Sequence, residues 1–235
     1  MIRDPRYDRS RLLEAATRAV ATRRIAKAVA LYRWVLAFEP TNAEIHLKLA
    51  PLLAQRRAGF DAWKSFQAAA RARASQGHPE RALAIYRQAA AALPREIEVW
   101  QATARLQQRG GHAREALETL LEGSRRLRRC GMRPQAIHLL RLAREIEAWH
   151  FEGVHGLAQL LGGDAQREEA RILLAQLARR CGGARLRRVR AAQLRLSPTP
   201  ANAWRWLVAV LRDVPEPVVV EGRSEVVRLR RLRAR

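Results

Sequence analysis

Alanine recurs along this chain at a regular interval, and this recurrence constrains the fold more than any other feature. The separations between six alanines alternate between 34 and 20 (62−28 and 82−62, for example): Ala28, Ala62, Ala82, Ala116, Ala136 and Ala170. A period of this size indicates an array of structural repeats, in which each repeat buries its apolar face on its neighbours. The sequence therefore predicts one extended array.

Each alanine of the series precedes a bulky residue by four positions, which places both on one face of a helix. The pairs are Ala28 with Tyr32, Ala62 with Phe66, Ala82 with Tyr86, Ala116 with Leu120, Ala136 with Leu140 and Ala170 with Leu174. Prolines follow two of these pairs, at Pro40 and Pro94. A small residue beside a bulky one lets a neighbouring helix approach closely.

A second pattern recurs in degenerate copies, of which two keep a tryptophan at the first position. They are His46-x-x-Leu49-Ala50-x-x-Leu53, Trp100-x-x-Thr103-Ala104-x-x-Gln107, Val154-x-x-Leu157-Ala158-x-x-Leu161 and Trp204-x-x-Leu207-Val208-x-x-Leu211. Together the two patterns resemble the tetratricopeptide repeat, which has a W-x-x-L-G-x-x-Y helix, then A-x-x-x-F and a proline. The resemblance covers residues 8–212. It implies stacked helical hairpins, with Trp100 and Trp204 packed in the core.

The 20-residue step departs from the family's period of about 34 residues. Twenty residues hold one helix and a turn, so the larger unit has about 54 residues and three helices. The copies are expected at 43–96, 97–150 and 151–201, with middle helices near 60–75, 112–130 and 166–180. Each middle helix closes one hairpin and opens the next.

We expect an all-α solenoid of ten to eleven antiparallel helices over residues 1–213, followed by a basic tail over 214–235. Pro215 and Pro217 stop the last helix. The β-branched runs on either side of Gly222 predict a hairpin in the tail, and a short basic amphipathic helix over 224–234 is the alternative.

The net charge of +23 comes almost entirely from arginine. The coding bias of a GC-rich genome explains such a composition as well as a function does. Two stretches nevertheless lack acidic residues, one between Glu122 and Glu145 and the other between Glu169 and Asp213. Arginines there have no acid within their own helix, and a guanidinium without a partner suits carboxylates or phosphates.

The sequence predicts no catalytic site, cofactor or metal. It contains no phosphate-binding glycine loop and no visible nucleophile–base arrangement. His150, Glu152 and His155 form a weak metal pattern without a fourth ligand. Two cysteines, Cys130 and Cys181, suit a reducing compartment, and without a signal peptide we expect a cytoplasmic protein.

The resemblance implies a non-enzymatic scaffold that binds a partner in the groove lined by the first helix of each repeat. Carried over residue by residue, the groove is lined by Lys48, Gln55, Gln101, Arg105, Arg109, His155, Gln159 and Arg205. This lining predicts a protein partner with an acidic segment. The oligomeric state is open.

A second candidate surface is a basic patch in the two acid-free stretches. It comprises Arg125, Arg126, Arg128, Arg129, Arg179, Arg180, Arg185, Arg187, Arg188 and Arg190. Nucleic-acid binding through phosphate contacts is the alternative function, although aromatic residues for base stacking are few and are not interleaved with the arginines. Association of the basic tail with an anionic membrane is a third hypothesis.

Overall fold

The computed structural model describes residues 8–162, 166–212 and 215. The described residues form twelve helices and no strand, which confirms the all-α prediction with at least one helix more than expected. In chain order they are α1 (Arg9–Ala21), α2 (Ile25–Phe38), α3 (Ala43–Gln55), α4 (Gly59–Ser75), α5 (Pro79–Ala92), α6 (Ile97–Arg109), α7 (Ala113–Arg129), α8 (Arg133–Ile146), α9 (Phe151–Leu160), α10 (Arg167–Ala178), α11 (Gly183–Leu196) and α12 (Pro200–Leu211). In the described ranges, no helix has the length and apolar character needed to cross a membrane.

The chain divides into two compact units, Met1–Met132 and Arg133–Arg235. The first unit contains α1 to α7 and the second contains α8 to α12. Within each unit every helix packs against the next one in the chain. Because the connections are short, consecutive helices run antiparallel. The predicted boundary between array and tail, at residues 213 and 214, lies outside the described residues, as does the predicted hairpin.

The three-helix period is visible in the helix bounds. Helices α2, α5 and α8 start at positions 25, 79 and 133, at equal intervals of 54 (79−25 and 133−79). The same spacing separates the starts of α3, α6 and α9, and those of α4, α7 and α10. The predicted unit of three helices is therefore confirmed. In the last copy α11 starts at position 183, four positions earlier than this spacing would place it.

All six alanines of the series are buried, with at most 1% of any of them exposed. Each lies in the contact between helices, where a larger side chain would push the neighbouring helix away. The bulky partner four residues later is buried as well, for example Phe66 after Ala62 and Leu174 after Ala170. The spacing in the sequence is thus the spacing of close helix contacts.

The middle helix of a three-helix copy packs on two neighbours. Helix α4 contacts both α3 and α5, and α10 contacts both α9 and α11. Eight residues after the alanine of the series, α4 and α7 each bury a second small side chain, Ala70 in α4 and Ser124 in α7. A middle helix therefore offers a close-packing position near each of its ends, as its double role requires.

A repeated ion pair also follows the 54-residue period. An arginine in the third helix of one three-helix copy (α2, α5 or α8) pairs with an acid in the middle helix of the next copy (α4, α7 or α10). The pairs are Arg33 with Asp61 (2.6 Å), Arg87 with Glu115 (3.2 Å) and Arg141 with Glu169 (3.0 Å). Exposed pairs of this kind each contribute about 0–1 kcal/mol. Their regular placement shows that the copies share one packing register.

Several of the turns between helices use glycine with positive φ, and two use arginine. Gly77 and Gly111 have φ of 80° after α4 and α6, whereas Arg57 after α3 has φ of 59° and Arg23 after α1 has φ of 55°. A side chain in this left-handed conformation is unfavourable. The two arginine turns are therefore local weak points of the first unit.

The two tryptophans assigned to the core have different environments. Trp100 is buried in α6, and its indole N–H donates to the backbone oxygen of Pro94 at 3.3 Å, so that prediction is confirmed. Trp204 is 66% exposed on α12, so the prediction of a core position is wrong. The reason is that no described helix follows α12 and covers its face.

Candidate functional site

Five of the predicted groove residues lie in the first unit. Lys48 and Gln55 are exposed on α3, seven residues apart, and Arg105 and Arg109 are exposed on α6, four residues apart. Gln101, also on α6, is half-buried. These spacings place the residues on one side of each helix. The side chains are accessible to a partner, and binding there stays a prediction.

In the second unit Gln159 and Arg205 are exposed, and their binding role stays a prediction. His155 is buried, so the prediction that it lines a groove is wrong. Only 5% of His155 is exposed. Its ring stacks on the ring of Phe151 at 5.5 Å between centroids. Burial, followed by the nearby charge of Arg188, lowers the pKa of His155, which favours the neutral imidazole. His155 is therefore an interior residue of α9.

The basic patch of the first unit lies at the end of α7. Arg126 and Arg125 both donate to Glu122, at 2.8 Å and 3.1 Å, and the hydrogen bond from Arg126 is the main cause of the lowered pKa of this carboxyl group. The expectation that these arginines lack an acid in their own helix is wrong, because Glu122 lies three and four residues before them. Arg128 and Arg129 are exposed, and the described residues offer them no ion pair.

The second unit gathers the other six arginines of the patch at the end of α10, in the following turn and along α11. We use the name arginine face for this set: Arg179, Arg180, Arg185, Arg187, Arg188 and Arg190. On α11, Arg185 and Arg188 lie on the side toward α9, whereas Arg187 and Arg190 lie on the opposite side of the helix. One acid reaches this face from α9. Both terminal nitrogens of Arg188 donate to the carboxylate of Glu152, at 2.6 Å and 3.0 Å. These hydrogen bonds lower the pKa of Glu152 and raise that of Arg188.

Two aromatic rings stack against three arginines of the arginine face. The guanidinium of Arg180 lies 3.8 Å from the ring centroid of Trp149. Those of Arg188 and Arg185 lie 4.9 Å and 5.6 Å from the ring centroid of Phe151. Stacking on a ring orients a guanidinium and leaves its N–H donors directed sideways.

Neither Trp149 nor Phe151 was predicted at this surface. Neither ring has an aromatic counterpart in the preceding copy, where Arg95 and Ile97 occupy the equivalent positions. The repeat pattern therefore gave no indication that these two rings share a role.

Positive charge is crowded where α11 meets α12. Arg190 is half-buried and donates to the side-chain oxygen of Gln193 at 2.8 Å. Burial, followed by the charge of Arg205 on α12, lowers the pKa of Arg190. Arg179 and Arg187 are exposed, and neither forms an ion pair with any described residue. An anion beside Arg190 and Arg205 would relieve the repulsion between these two arginines.

The weak metal pattern is not assembled as a site. The Nδ1 atom of His150 accepts the backbone N–H of Gly153 at 3.4 Å and caps α9, while Glu152 binds Arg188. In the described ranges no three His, Cys, Asp or Glu side chains come together as metal ligands. Cys130 is half-buried and Cys181 is buried, and no disulfide joins them.

The helix pairs, the buried alanine series and the repeated register define the architecture. It is a tetratricopeptide-like helical repeat array. No family model matches the sequence, and no curated protein matches it. The tetratricopeptide-like assignment therefore rests on the helices of this chain and on the residues that pack them.

Several solved structures are similar to this tetratricopeptide-like chain at low identity. A tetratricopeptide repeat protein from Bacteroides fragilis is 12% identical, with 87% of this chain and 98% of that chain covered and a TM-score of 0.35. PilF from Pseudomonas aeruginosa is 16% identical, with coverage of 86% and 89% and a TM-score of 0.33. A tetratricopeptide repeat protein from Parabacteroides merdae is 12% identical, with coverage of 85% and 90% and a TM-score of 0.32. Likeness at this level says nothing about partners.

Proposed function

We propose that this protein is a non-enzymatic scaffold that binds an acidic segment of a partner protein on the arginine face of its second unit. The observation that carries the proposal is the excess of positive charge on this face. Six arginines lie at the end of α10, in the following turn and along α11, and Glu152 pairs with one of them, Arg188. Acidic side chains of a partner would pair with Arg179 and Arg187, which are exposed and have no ion pair among the described residues.

The aromatic support favours recognition of carboxylates. Trp149 and Phe151 hold Arg180, Arg185 and Arg188 from one side, so less side-chain entropy is lost when these arginines bind a ligand. A planar guanidinium with two parallel N–H groups matches a carboxylate, as the pair of Arg188 and Glu152 shows within the protein itself.

The same rings disfavour the nucleic-acid alternative at this surface. Proteins that bind single strands stack bases on open aromatic faces. Here Phe151 is buried between His155 and the arginines, and one face of Trp149 is occupied by Arg180. Phosphate contacts alone would remain, and these give a steep dependence of affinity on salt concentration.

A binding titration with a fluorescent glutamate-rich peptide tests the proposal. We expect Arg179→Glu combined with Arg187→Glu to raise the dissociation constant at least about tenfold, because both exposed positions then repel the peptide. The matched control is Arg81→Glu with Arg95→Glu, which changes the net charge equally at two exposed positions outside both predicted surfaces. We expect the control to retain most of the affinity.

Three outcomes separate the candidates. Equal weakening by both double variants would reduce the effect to bulk charge and refute a specific site. Loss of peptide binding only in Arg105→Glu with Arg109→Glu would move the site to the predicted groove of the first unit. Tighter binding of single-stranded RNA than of the peptide, with a steep salt slope, would favour the nucleic-acid alternative.

A further inference from the structure

Helix α12, the last helix that the structure describes, presents an apolar face that its counterparts in the array bury. At the positions equivalent to Trp204, Leu207 and Leu211 of α12, helix α9 has Val154, Leu157 and Leu161. These three counterparts are completely buried, whereas 66% of Trp204, 39% of Leu207 and 74% of Leu211 are exposed. The counterparts in α3 and α6 are buried too, apart from His46.

In the three-helix copies that begin with α3, α6 and α9, the middle helix packs against the first helix. Helix α4 packs on α3, α7 on α6 and α10 on α9. Each of these middle helices carries the alanine of the series and, four residues later, a bulky apolar residue. A helix that covers α12 in the same way needs a small residue beside a bulky one and no charge on its contact face.

Helix α12 itself meets this requirement. Ala203 lies four residues before Leu207, and both are exposed. With Trp204, Val210 and Leu211 they form an exposed apolar stripe with spacings of three and four residues, the pattern of a helix–helix contact. The one charged residue of α12, Arg205, lies next to Arg190 of α11 and outside this stripe.

We propose that two copies of this protein associate through α12 as a two-fold symmetric dimer. The two α12 helices run antiparallel about Leu207, so that Ala203 of one copy meets Leu211 of the other and Trp204 meets Val210. A two-fold axis brings the same patch together on both copies, and a stripe that carries both the small and the bulky residues is self-complementary.

The alternative of a head-to-tail chain does not fit the first helix. The end of α1 precedes the end of α4 by one full repeat period (75−21), so in the array α1 is the counterpart of a middle helix. Its exposed residues include Arg11, Glu14 and Arg18. Arg18 pairs with Glu14 and Arg11 pairs with Asp8. Packing this surface on the apolar stripe of α12 would take both ion pairs out of water, and apolar side chains would not repay the desolvation.

Sedimentation velocity of the full chain across the micromolar range tests the dimer. A contact of one helix per copy is small, and we expect a dissociation constant in the micromolar range. Leu207→Gln with Leu211→Gln should raise this constant at least about 100-fold, because both leucines lie in the contact. Since both are exposed in the single copy, the helix content in circular dichroism should stay unchanged.

A matched control replaces two other exposed apolar residues, Phe60→Gln with Ile172→Gln, which are 63% and 49% exposed. This variant should dimerise like the wild type. A second measurement uses Leu207→Cys in a chain carrying Cys130→Ala and Cys181→Ala. An added thiol oxidant should join two copies through this residue on the axis, and the same background with Phe60→Cys should stay unlinked.

The proposal is overturned if the wild type stays monomeric across this range or if the dimer survives the two glutamine substitutions. A monomer whose melting temperature falls with those substitutions would also overturn it, because the face would then be covered by the same chain. These outcomes are independent of peptide binding, since the variants leave the arginine face unchanged.

Discussion

Helices α9 and α12 belong to the same unit and carry the same sequence pattern, and they differ in what covers them. In α9 the apolar positions Val154, Leu157 and Leu161 are buried, and α10 packs against the helix. In α12 the equivalent side chains are exposed. The repeat pattern thus encodes an apolar helix face, and this face becomes part of the core only where a following helix packs against it.

The largest expected effect is a difference in stability loss between equivalent leucine substitutions in α9 and α12. Leu157→Ala in α9 should lower the free energy of unfolding by about 3 kcal/mol, because it leaves a cavity in a fully packed site. Leu207→Ala in α12 should lower it by about 1 kcal/mol, since 39% of this leucine is already exposed and its truncation leaves no enclosed cavity. Urea unfolding below the concentration at which copies associate measures both. Equal losses would show that α12 is covered within a single copy.

A smaller effect on stability is expected at equivalent turns of two copies. Arg57 after α3 and Gly111 after α6 lie at equivalent positions, both with positive φ. Arg57→Gly should therefore raise the free energy of unfolding by about 1 kcal/mol, and Gly111→Arg should lower it by a similar amount. Thermal unfolding of the two variants gives the sign. A loss of stability in Arg57→Gly would mean that the arginine side chain makes a contact worth more than the backbone strain.

The smallest effect concerns the ion pair that ties α9 to α11. The pKa of Glu152 is lowered in the folded protein, so its contribution to stability is present above the unfolded value and is lost as the pH falls through the folded pKa. Glu152→Gln should cost about 0.5 kcal/mol at neutral pH, because both side chains of the pair are half-exposed.

The loss in Glu152→Gln should vanish in acid, where the wild-type carboxyl group is protonated as well. Urea unfolding at neutral and at acidic pH measures this convergence. The corresponding control is Glu122→Gln in the first unit, whose carboxyl pKa is lowered by Arg126 and Arg125. A difference between wild type and Glu152→Gln that persists in acid would show that the residue acts through packing rather than charge.

Much of the fold was predictable because close helix packing leaves a periodic trace. The alternating steps between Ala62, Ala82 and Ala116 predicted both the hairpins and the additional helix, and the structure buries these residues as expected. The repeated pairs of arginine and acid were also visible as a recurrence with the period of the copies. They were missed because a single exposed arginine gives no indication of its partner.

The candidate site was predicted less completely. Arginine positions on α11 followed from the acid-free stretch, but their support by Trp149 and Phe151 joins residues that are far apart in the chain. Glu152 likewise pairs with Arg188 across 36 positions. Such contacts depend on how α9, α10 and α11 pack, and no local spacing records them.

The helical repeats, their register and the excess of arginine follow from the amino-acid sequence alone, because each is a property of neighbouring residues or of a fixed period. The burial of His155, the exposure of Trp204 and the stacking of Arg180 on a ring follow from tertiary contacts. Burial depends on which helix lies next to a face. The same pattern is core under a neighbouring helix and surface without one.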